Sequence, residues 1–302
     1  MTATTDSQVP AGSVVVGVDG STHAADAVAW AAEQAALEGR RLVLLHAADA
    51  VSATASLWMA SMAVDPGQVR HDIEGAGREV LAEAAAGVRE ARPGLEVVEL
   101  LQLVDPRQAL LDASTAAAVV VVGSHGRGPV SSLLLGSVGV AVARHATSPV
   151  VVVRPTARGV ARRGVVVGVD GTAGSLPALE AAYRQASERR LPLTVVHCFW
   201  DVVAATGPAE VLAPTAADVE EIRLLVGESI SGMAEEFPDV PVTVELARGL
   251  AEEVLGRGSA VHDLVVVGRQ QHGPVSALLR GSVSTAILER AACPVLVVPG
   301  AD

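Results

Sequence analysis

The stretch Val14-Val-Val-Gly-Val-Asp-Gly20 recurs without change as Val165-Val-Val-Gly-Val-Asp-Gly171. Three further pairs of blocks follow in the same order, and the last pair is Ser148-Pro-Val-Val-Val-Val153 and Cys293-Pro-Val-Leu-Val-Val298. A repeat of this kind indicates two copies of one folding unit. The length of 302 residues also suits two domains of about 100–200 residues each. We therefore divide the chain into domains over residues 1–155 and 163–302.

Each copy alternates short, β-branched apolar runs with helical stretches. In the first copy the predicted strands cover 13–18, 42–46, 95–103, 118–122 and 150–153, and the predicted helices cover 21–37, 77–90, 107–115 and 137–144. Continuous apolar runs are typical of parallel strands buried on both faces. The alternation predicts an α/β fold in each copy, an open parallel sheet with helices on both faces. The linker between the copies is short, so their last strands could pair within the chain.

Composition excludes several classes of function. The formal net charge is -12 and aromatic residues make up 2% of the chain, which argues against a nucleic-acid partner or an anionic membrane surface. The chain contains no lysine, so it has no Walker-type P-loop and no Schiff-base lysine. The longest apolar runs, such as Ala116–Val122, are too short to span a membrane, and no secretory signal pattern is present. We expect a cytoplasmic protein in which Cys198 and Cys293 are buried, reduced thiols.

The sharpest local feature is Val119-Val-Val-Val-Gly-Ser-His-Gly126, followed after nine residues by Gly136-Ser137. Gly123 and Gly126 follow a strand at the carboxyl edge of the sheet, where open α/β sheets bind ligands. Glycine at these positions allows positive φ and lets a backbone N–H approach a phosphate. Gly136 and Ser137 open the next helix, whose free N–H groups and positive dipole end favour an anion. Together the two glycine sites predict a site for a polyphosphate.

This glycine spacing, with Val-Gly-Val-Asp-Gly-Ser at positions 16–21, resembles the universal stress protein family. The resemblance covers nearly the whole chain, twice. It implies that each copy is a five-stranded parallel sheet in the spatial order 3-2-1-4-5 with flanking helices. Many members of the family bind ATP, whereas others lack the glycine motif and do not.

Carried over residue by residue, the resemblance implies an ATP site in the first copy. Asp19, with Gly17 and Val18, would lie at the adenosine end, and Ala47 would contact the base. The ribose and phosphates would be held by residues of the glycine motif, which are Gly123, His125, Gly126, Gly136 and Ser137, with Val138 beside them. The guanidinium of Arg127 could reach a phosphate. Mg²⁺ would be held mainly by phosphate and water, because no carboxylate cluster lies beside the motif.

The second copy keeps part of this set, namely Asp170, Gly268, Gly281 and Ser282. Where the first copy has Gly126, however, the second has Gln271. A side chain there costs on the order of 1–2 kcal/mol if the position needs positive φ, and it stands where a phosphate would approach the backbone. We therefore expect one strongly held nucleotide per chain, in the first copy. The alternative is that Gln271 turns outward and the loop adapts.

Several of these residues also have a purely structural interpretation. Asp19 and Ser21 are favoured helix N-caps. His46 and His197 end strands, and we expect them to be core histidines with satisfied hydrogen bonds. Ser124 and His125 are adjacent in sequence and could suggest a catalytic nucleophile and its base, but no strained Gly-x-Ser-x-Gly turn surrounds them. Covalent catalysis is therefore not expected.

The sequence thus predicts an ATP-responsive stress protein that acts through an unidentified protein partner. The two copies are expected to pair within the chain, and a homodimer of two chains is also open. No shaped general base is visible, so rapid turnover is not expected, while slow hydrolysis stays open. One alternative is an interaction module without nucleotide binding, which suits the second copy better than the first. Another, on weaker grounds, is an adenylyl transferase, for which further phosphate-handling residues are missing.

Overall fold

A computed structural model describes residues 8–48, 65–126, 136–154, 163–199, 209–212, 220–269 and 283–300. The chain divides into two compact units, the first ending at Val153 and the second beginning at Arg154. Within the described ranges, no helix has both the length and the apolar character needed to cross a bilayer.

The first unit is a five-stranded parallel sheet with four described helices. Its strands are β1 (Val14–Gly17), β2 (Leu42–Ala47), β3 (Val97–Gln102), β4 (Val119–Gly123) and β5 (Val150–Val153). Its helices are α1 (Thr22–Leu37), α2 (Pro66–Ala91), α3 (Pro106–Ser114) and α4 (Ser137–His145). The strands lie in the order β3-β2-β1-β4-β5, and each neighbouring pair is parallel. This confirms the predicted order 3-2-1-4-5.

The second unit repeats the plan. Its strands are β6 (Val165–Val169), β7 (Leu193–Phe199), β8 (Glu210–Val211), β9 (Val242–Arg248), β10 (Leu264–Arg269) and β11 (Val295–Pro299). Its helices are α5 (Leu176–Arg189), α6 (Glu220–Glu236), α7 (Ala251–Gly258) and α8 (Val283–Arg290), with a 3-10 turn, Ala173–Ser175, before α5. The order is β11-β10-β6-β7-β9-β8. The five longer strands form the predicted parallel sheet, and β8 adds an antiparallel edge to β9.

The core of the first unit explains why these segments are strands and helices. Val14, Val15 and Val16 of β1 are completely buried, as expected for a central parallel strand covered on both faces. On α1 the completely buried side chains are alanines at helical spacing, Ala27, Ala31 and Ala35, and α1 lies against β1 and β4. Small side chains let this helix approach the sheet closely, which brings its amino end near the end of β4.

Helix α2 is longer than the predicted helix near residues 77–90. It begins at Pro66, with Asp65 as its N-cap, and the Asp65 carboxylate accepts a hydrogen bond from the Gly67 N–H at 2.9 Å. A capping Asp followed by Pro at the first helical position is a strong start signal. The early turns are charged and solvent-facing, with Glu74 bridging Arg70 and Arg78, so apolar periodicity alone did not reveal them.

Candidate functional site

The carboxyl ends of β1 and β4 lie side by side in the first unit. Val16 of β1 pairs with Val121 of β4, and the strand order reverses here, since β2 and β3 lie beyond β1 and β5 lies beyond β4. Open α/β sheets bind ligands in the crevice at such a switch point. Most of the predicted site residues of the first copy lie in the segments that border this crevice.

Asp19 shapes the turn between β1 and α1. Its Oδ1 accepts a hydrogen bond from the Ser21 N–H at 2.9 Å, and Gly20 has a φ of 78°. The N-cap of α1 is Ser21, whose Oγ accepts from the Ala24 N–H at 3.1 Å. Of the two candidate caps, Ser21 therefore caps the helix, while Asp19 holds the preceding turn and keeps a carboxylate at the crevice.

Gly123, the last residue of β4, contacts the first turn of α1. A Cβ at this position would lie 2.7 Å from the His23 carbonyl oxygen and 2.9 Å from the His23 carbonyl carbon. Real Cβ atoms do not approach backbone so closely, so only glycine fits without a shift of the helix or the strand. Gly123 is thus required for close packing of helix on strand, whatever it does toward a ligand.

The glycines of the motif do not use the positive φ that glycine allows. Gly123, Gly126 and Gly136 all lie outside the left-handed region, which is occupied by other glycines such as Gly20 and Gly39. At Gly126 a Cβ would lie 2.7 Å from Oδ2 of Asp19, so a side chain there requires this carboxylate to shift. Asp19 of the β1–α1 turn and Gly126 of the glycine motif therefore lie next to each other in the structure.

The amino end of α4 lies against the same loop. The Gly136 N–H donates to the Ser124 carbonyl oxygen at 2.9 Å, and a Cβ at Gly136 would lie 3.7 Å from Cα of His125 and 3.9 Å from N of Gly126. The two glycine sites are therefore adjacent in the structure. Gly136 is the N-cap of α4, and no side chain of the described chain caps this helix start. Its first-turn N–H groups and dipole are available to an anion.

His23 was not among the predicted site residues. It lies in the first turn of α1, and its ring centroid is 5.3 Å from that of His125 at an interplanar angle of 45°. Nδ1 of His125 is 3.2 Å from Oγ of Ser124, but Ser124 is only 1% exposed, so its hydroxyl is poorly placed to attack a substrate. The sequence does contain one signal for His23, because it comes four residues after Asp19, at the start of a helix that faces the glycine motif.

The remaining predicted residues of the first copy are distributed over β1 and the residue after it, β2 and α4. Gly17 contacts Leu110 of α3, since a Cβ there would lie 3.4 Å from a Leu110 methyl. Val18 is buried, and Ala47 ends β2 half-buried. Ser137 is exposed and Val138 half-buried on α4. Arg127 lies outside the described residues.

Both strand-end histidines are core residues with satisfied hydrogen bonds, as expected. Nδ1 of His46 donates to the Val18 carbonyl at 2.6 Å, and Nδ1 of His197 donates to the Val169 carbonyl at 3.1 Å. Burial lowers the pKa of His197, which keeps its ring neutral. These histidines tie the second strand of each unit to the end of the first.

The equivalent crevice of the second unit contains a cavity of about 140 Å³. It is lined by residues that include Asp170, Cys198, Gly268 and Ser284. Oδ1 of Asp170 accepts from the N–H and the hydroxyl of Thr172 at 2.9 and 2.7 Å, so the turn seen at Asp19 is repeated. Gly281, Ser282 and Gln271 lie outside the described residues. The part of the crevice next to β6 is therefore retained in the second unit.

Cys198 in this cavity is expected to be chemically unreactive. Burial and the charge of Glu252 raise the pKa of its thiol to about 12, whereas a free thiol has a pKa of about 8.5 and reacts as the thiolate. At pH 8 the thiolate fraction should be lower than that of a free thiol by on the order of a thousandfold. The expectation that both thiols are buried holds for Cys293, whereas Cys198 is half-buried because it lines the cavity. We expect neither thiol to react with a disulfide reagent in the native protein and both to react in guanidinium; rapid native labelling of one thiol would contradict this.

The fold defines an α/β protein with a crevice at the carboxyl edge of a parallel sheet, present twice. Residues 11–154 and 161–299 each match the universal stress protein family, so the chain belongs to that family of stress-response proteins. A universal stress protein of Mycolicibacterium smegmatis is 34% identical over 291 residues, covering 94% of this chain and 96% of the relative. Universal stress protein Rv2005c of Mycobacterium tuberculosis is 34% identical over 290 residues with the same coverage, 94% and 96%.

The fold also matches a solved structure. The crystal structure of a universal stress protein from Archaeoglobus fulgidus superposes with a TM-score of 0.67 at 18% identity, covering 98% of this chain and 99% of that chain. At that identity the likeness concerns the fold alone.

Proposed function

We propose that the first unit binds ATP in the crevice between β1 and β4, and that the chain is a nucleotide-responsive regulator in the stress response. The observation that carries the proposal is the contact between the two glycine sites. The loop of His125 and Gly126 touches Gly136 at the start of α4, a helix end that no described side chain caps. A triphosphate on this helix end would gain N–H donors and the positive end of the helix dipole.

Charge sets the orientation of the nucleotide in this proposal. The Asp19 carboxylate would repel a phosphate but accepts hydrogen bonds from ribose hydroxyls, a role that acidic residues have in other nucleotide-binding α/β folds. The sugar therefore belongs at Asp19 and the phosphates at α4. The rings of His23 and His125, which lie together beside the motif, offer further N–H donors.

Magnesium would enter with the nucleotide. Within the described residues, no group of three His, Cys, Asp or Glu side chains could hold a metal ion. Mg²⁺ is often bound through substrate phosphates with retained water ligands. The protein residues would then position the phosphates and leave coordination of the metal to phosphate oxygens and water.

The proposed regulator acts through protein partners that distinguish the ATP-bound chain from the free chain. A ligand shifts a conformational balance only by its difference in affinity for the two states, so the nucleotide must order part of the crevice for this signal. A turnover of many ATP per second, abolished by one side-chain change, would instead make the protein an enzyme.

The direct test is to identify what the purified protein carries. Mass spectrometry of ligand released from the protein, with calorimetric titration of ATP into the stripped chain, is expected to give adenine nucleotide at about one strong site per chain. If no nucleotide is released and ATP gives no binding isotherm, the result favours the alternative, an interaction module without nucleotide.

Gly136→Ala provides a variant that separates ligand contact from folding. An added Cβ would have its nearest neighbour at 3.6 Å, which is ordinary contact, and alanine is a poorer N-cap than glycine by up to about 1 kcal/mol. The protein should therefore stay folded. Because the Cβ would stand at the helix end where phosphate approaches, we expect ATP to bind about tenfold more weakly, a loss of about 1.4 kcal/mol, by calorimetry.

The matched control is Gly87→Ala on α2, where an added Cβ meets nothing within 4 Å. This variant should bind ATP like the unmodified chain. If Gly136→Ala and Gly87→Ala bind ATP with equal affinity, the amino end of α4 does not contact the nucleotide.

A further inference from the structure

The second unit contains another cavity, of about 330 Å³, that is separate from the nucleotide crevice. It lies on the face of the sheet covered by α7, toward the amino ends of β6 and β10. Val196 and Leu255 line both this cavity and the smaller one at the carboxyl edge. Its volume is within the range of about 300–1,000 Å³ typical of small-molecule sites.

The duplication supplies an internal reference for this region. Glu245 pairs in register with Val196 of β7, as Leu100 pairs with Leu45 of β2. The Arg163 N–H donates to the Val261 carbonyl, as the Gly12 N–H donates to that of Ala116. The second unit therefore has Glu245, His262 and Arg163 where the first has the apolar or small residues Leu100, Ala117 and Gly12. At these three positions the first copy has no charged side chain, although its Arg40 donates to the Gly12 carbonyl, whereas the second copy has a carboxylate and a guanidinium there.

The cavity is lined by equal numbers of positively and negatively charged residues. Arg163 and Glu245 form an ion pair at 3.2 Å, with side chains 56% and 21% exposed. Arg257 donates to the carbonyls of Ala209 at 2.6 Å and Glu253 at 3.3 Å, and the exposed Glu210 also lines the cavity. Two guanidinium groups and two carboxylates thus line one cavity, whose remaining walls include valine and leucine side chains.

His262 provides a neutral polar group at the same place. It is 2% exposed, and its Nδ1 donates to the Gly258 carbonyl at 2.8 Å, so Nε2 is the acceptor nitrogen of the neutral ring. Burial lowers the pKa of His262 and the Arg163 charge lowers it further, against the raising effects of the Gly258 hydrogen bond and the charges of Glu245 and Asp263. The imidazole is therefore a hydrogen-bond acceptor at neutral pH.

We propose that this cavity binds a small zwitterion with an apolar side chain, the chemistry of a free aliphatic amino acid. Its ammonium group would lie at Glu245, whose carboxylate accepts hydrogen bonds, with the buried ring of His262 in the wall beside it. Its carboxylate would lie at the guanidinium groups, which bind carboxylates through paired N–H donors. Its side chain would lie against the apolar walls. This site is independent of the proposed ATP site.

The test uses the full chain and L-leucine as the probe. Calorimetry is expected to show saturable binding of leucine and at least about tenfold weaker binding of 4-methylpentanoate, which lacks the ammonium group, and of 3-methylbutylamine, which lacks the carboxylate. Absence of a leucine isotherm at millimolar concentration would overturn the proposal, and so would equal binding of either analogue.

Two variants copy the first unit into the second, Glu245→Leu and His262→Ala. Glu245→Leu should weaken leucine binding at least about tenfold, His262→Ala should weaken it by changing the cavity wall, and both should leave ATP binding in the first unit unchanged. Glu99→Leu is the matched control, because it removes a comparable ion pair of the first unit, Arg89 with Glu99 at 2.9 Å. Thermal unfolding verifies that each variant folds, and Glu245→Gln replaces Glu245→Leu if it does not. Unchanged leucine affinity in the folded Glu245 variant would make the charged cluster purely structural.

Discussion

Replacing Gly123 with alanine is expected to destabilise the first unit by about 1–3 kcal/mol, the usual cost of forcing an extra carbon into a packed interior. The new Cβ would lie 2.7 Å from the His23 carbonyl oxygen and 3.2 Å from the Ala24 nitrogen. Both are backbone atoms in the first turn of α1, so no side-chain rotation relieves the contact. The helix must move away from the strand, and the crevice between them must change shape.

The equivalent glycine of the second unit is the control. A Cβ on Gly268 would have its nearest neighbour, Cβ of Ala178, at 3.7 Å, which is ordinary contact, so Gly268→Ala should change stability by less than about 0.5 kcal/mol. Denaturant unfolding, with the two units followed as separate transitions, measures both changes. Equal destabilisation by the two substitutions would show that contact with α1 is not the reason for Gly123.

The prediction of the fold from the sequence succeeded where burial controls the pattern. Runs such as 119–122 are continuous and β-branched because these strands are covered on both faces, and that gives them a clear signature. The two residues of β8 form an antiparallel edge strand and carry no periodicity, so nothing in the sequence marked them. The first turns of α2 face solvent and have no apolar periodicity, so the N-cap residue Asp65 and the proline after it are the only sequence signal for the start of this helix.

The segments that carry the predicted site lie together in the structure, but the motif glycines meet close contacts there and do not adopt the positive φ that glycine allows. Spacing along the chain indicates that the end of β4 and the start of α4 converge. It does not indicate which atoms lie opposite a given Cα, because that depends on how closely α1 approaches the sheet. The sequence left open whether Gly126 needs positive φ. In the structure it does not, and the Asp19 carboxylate lies opposite it. The prediction also missed His23 on the approaching helix.

This difference changes the basis of the expected asymmetry between the two units. Since Gly126 does not have positive φ, a side chain at this position is not penalised by backbone strain. It is penalised because its Cβ would meet Oδ2 of Asp19 at 2.7 Å, and because the rest of the side chain must then enter the crevice or displace the carboxylate. Either outcome disturbs the part of the crevice where we place the ribose and the phosphates.

Exchanging the two residues tests this directly. Gly126→Gln, which copies Gln271, is expected to weaken ATP binding in the first unit by about tenfold or more, which is at least about 1.4 kcal/mol. Gln271→Gly should raise nucleotide binding in the second unit, where the Asp170 turn and the cavity beside it are retained. Calorimetry should then give one strong site in the unmodified chain, no strong site in Gly126→Gln, and a gain in stoichiometry for Gln271→Gly. Full and equal ATP occupancy of both units in a crystal of the unmodified protein would contradict the asymmetry, because it would mean that Gln271 turns out of the crevice and leaves the phosphate path open.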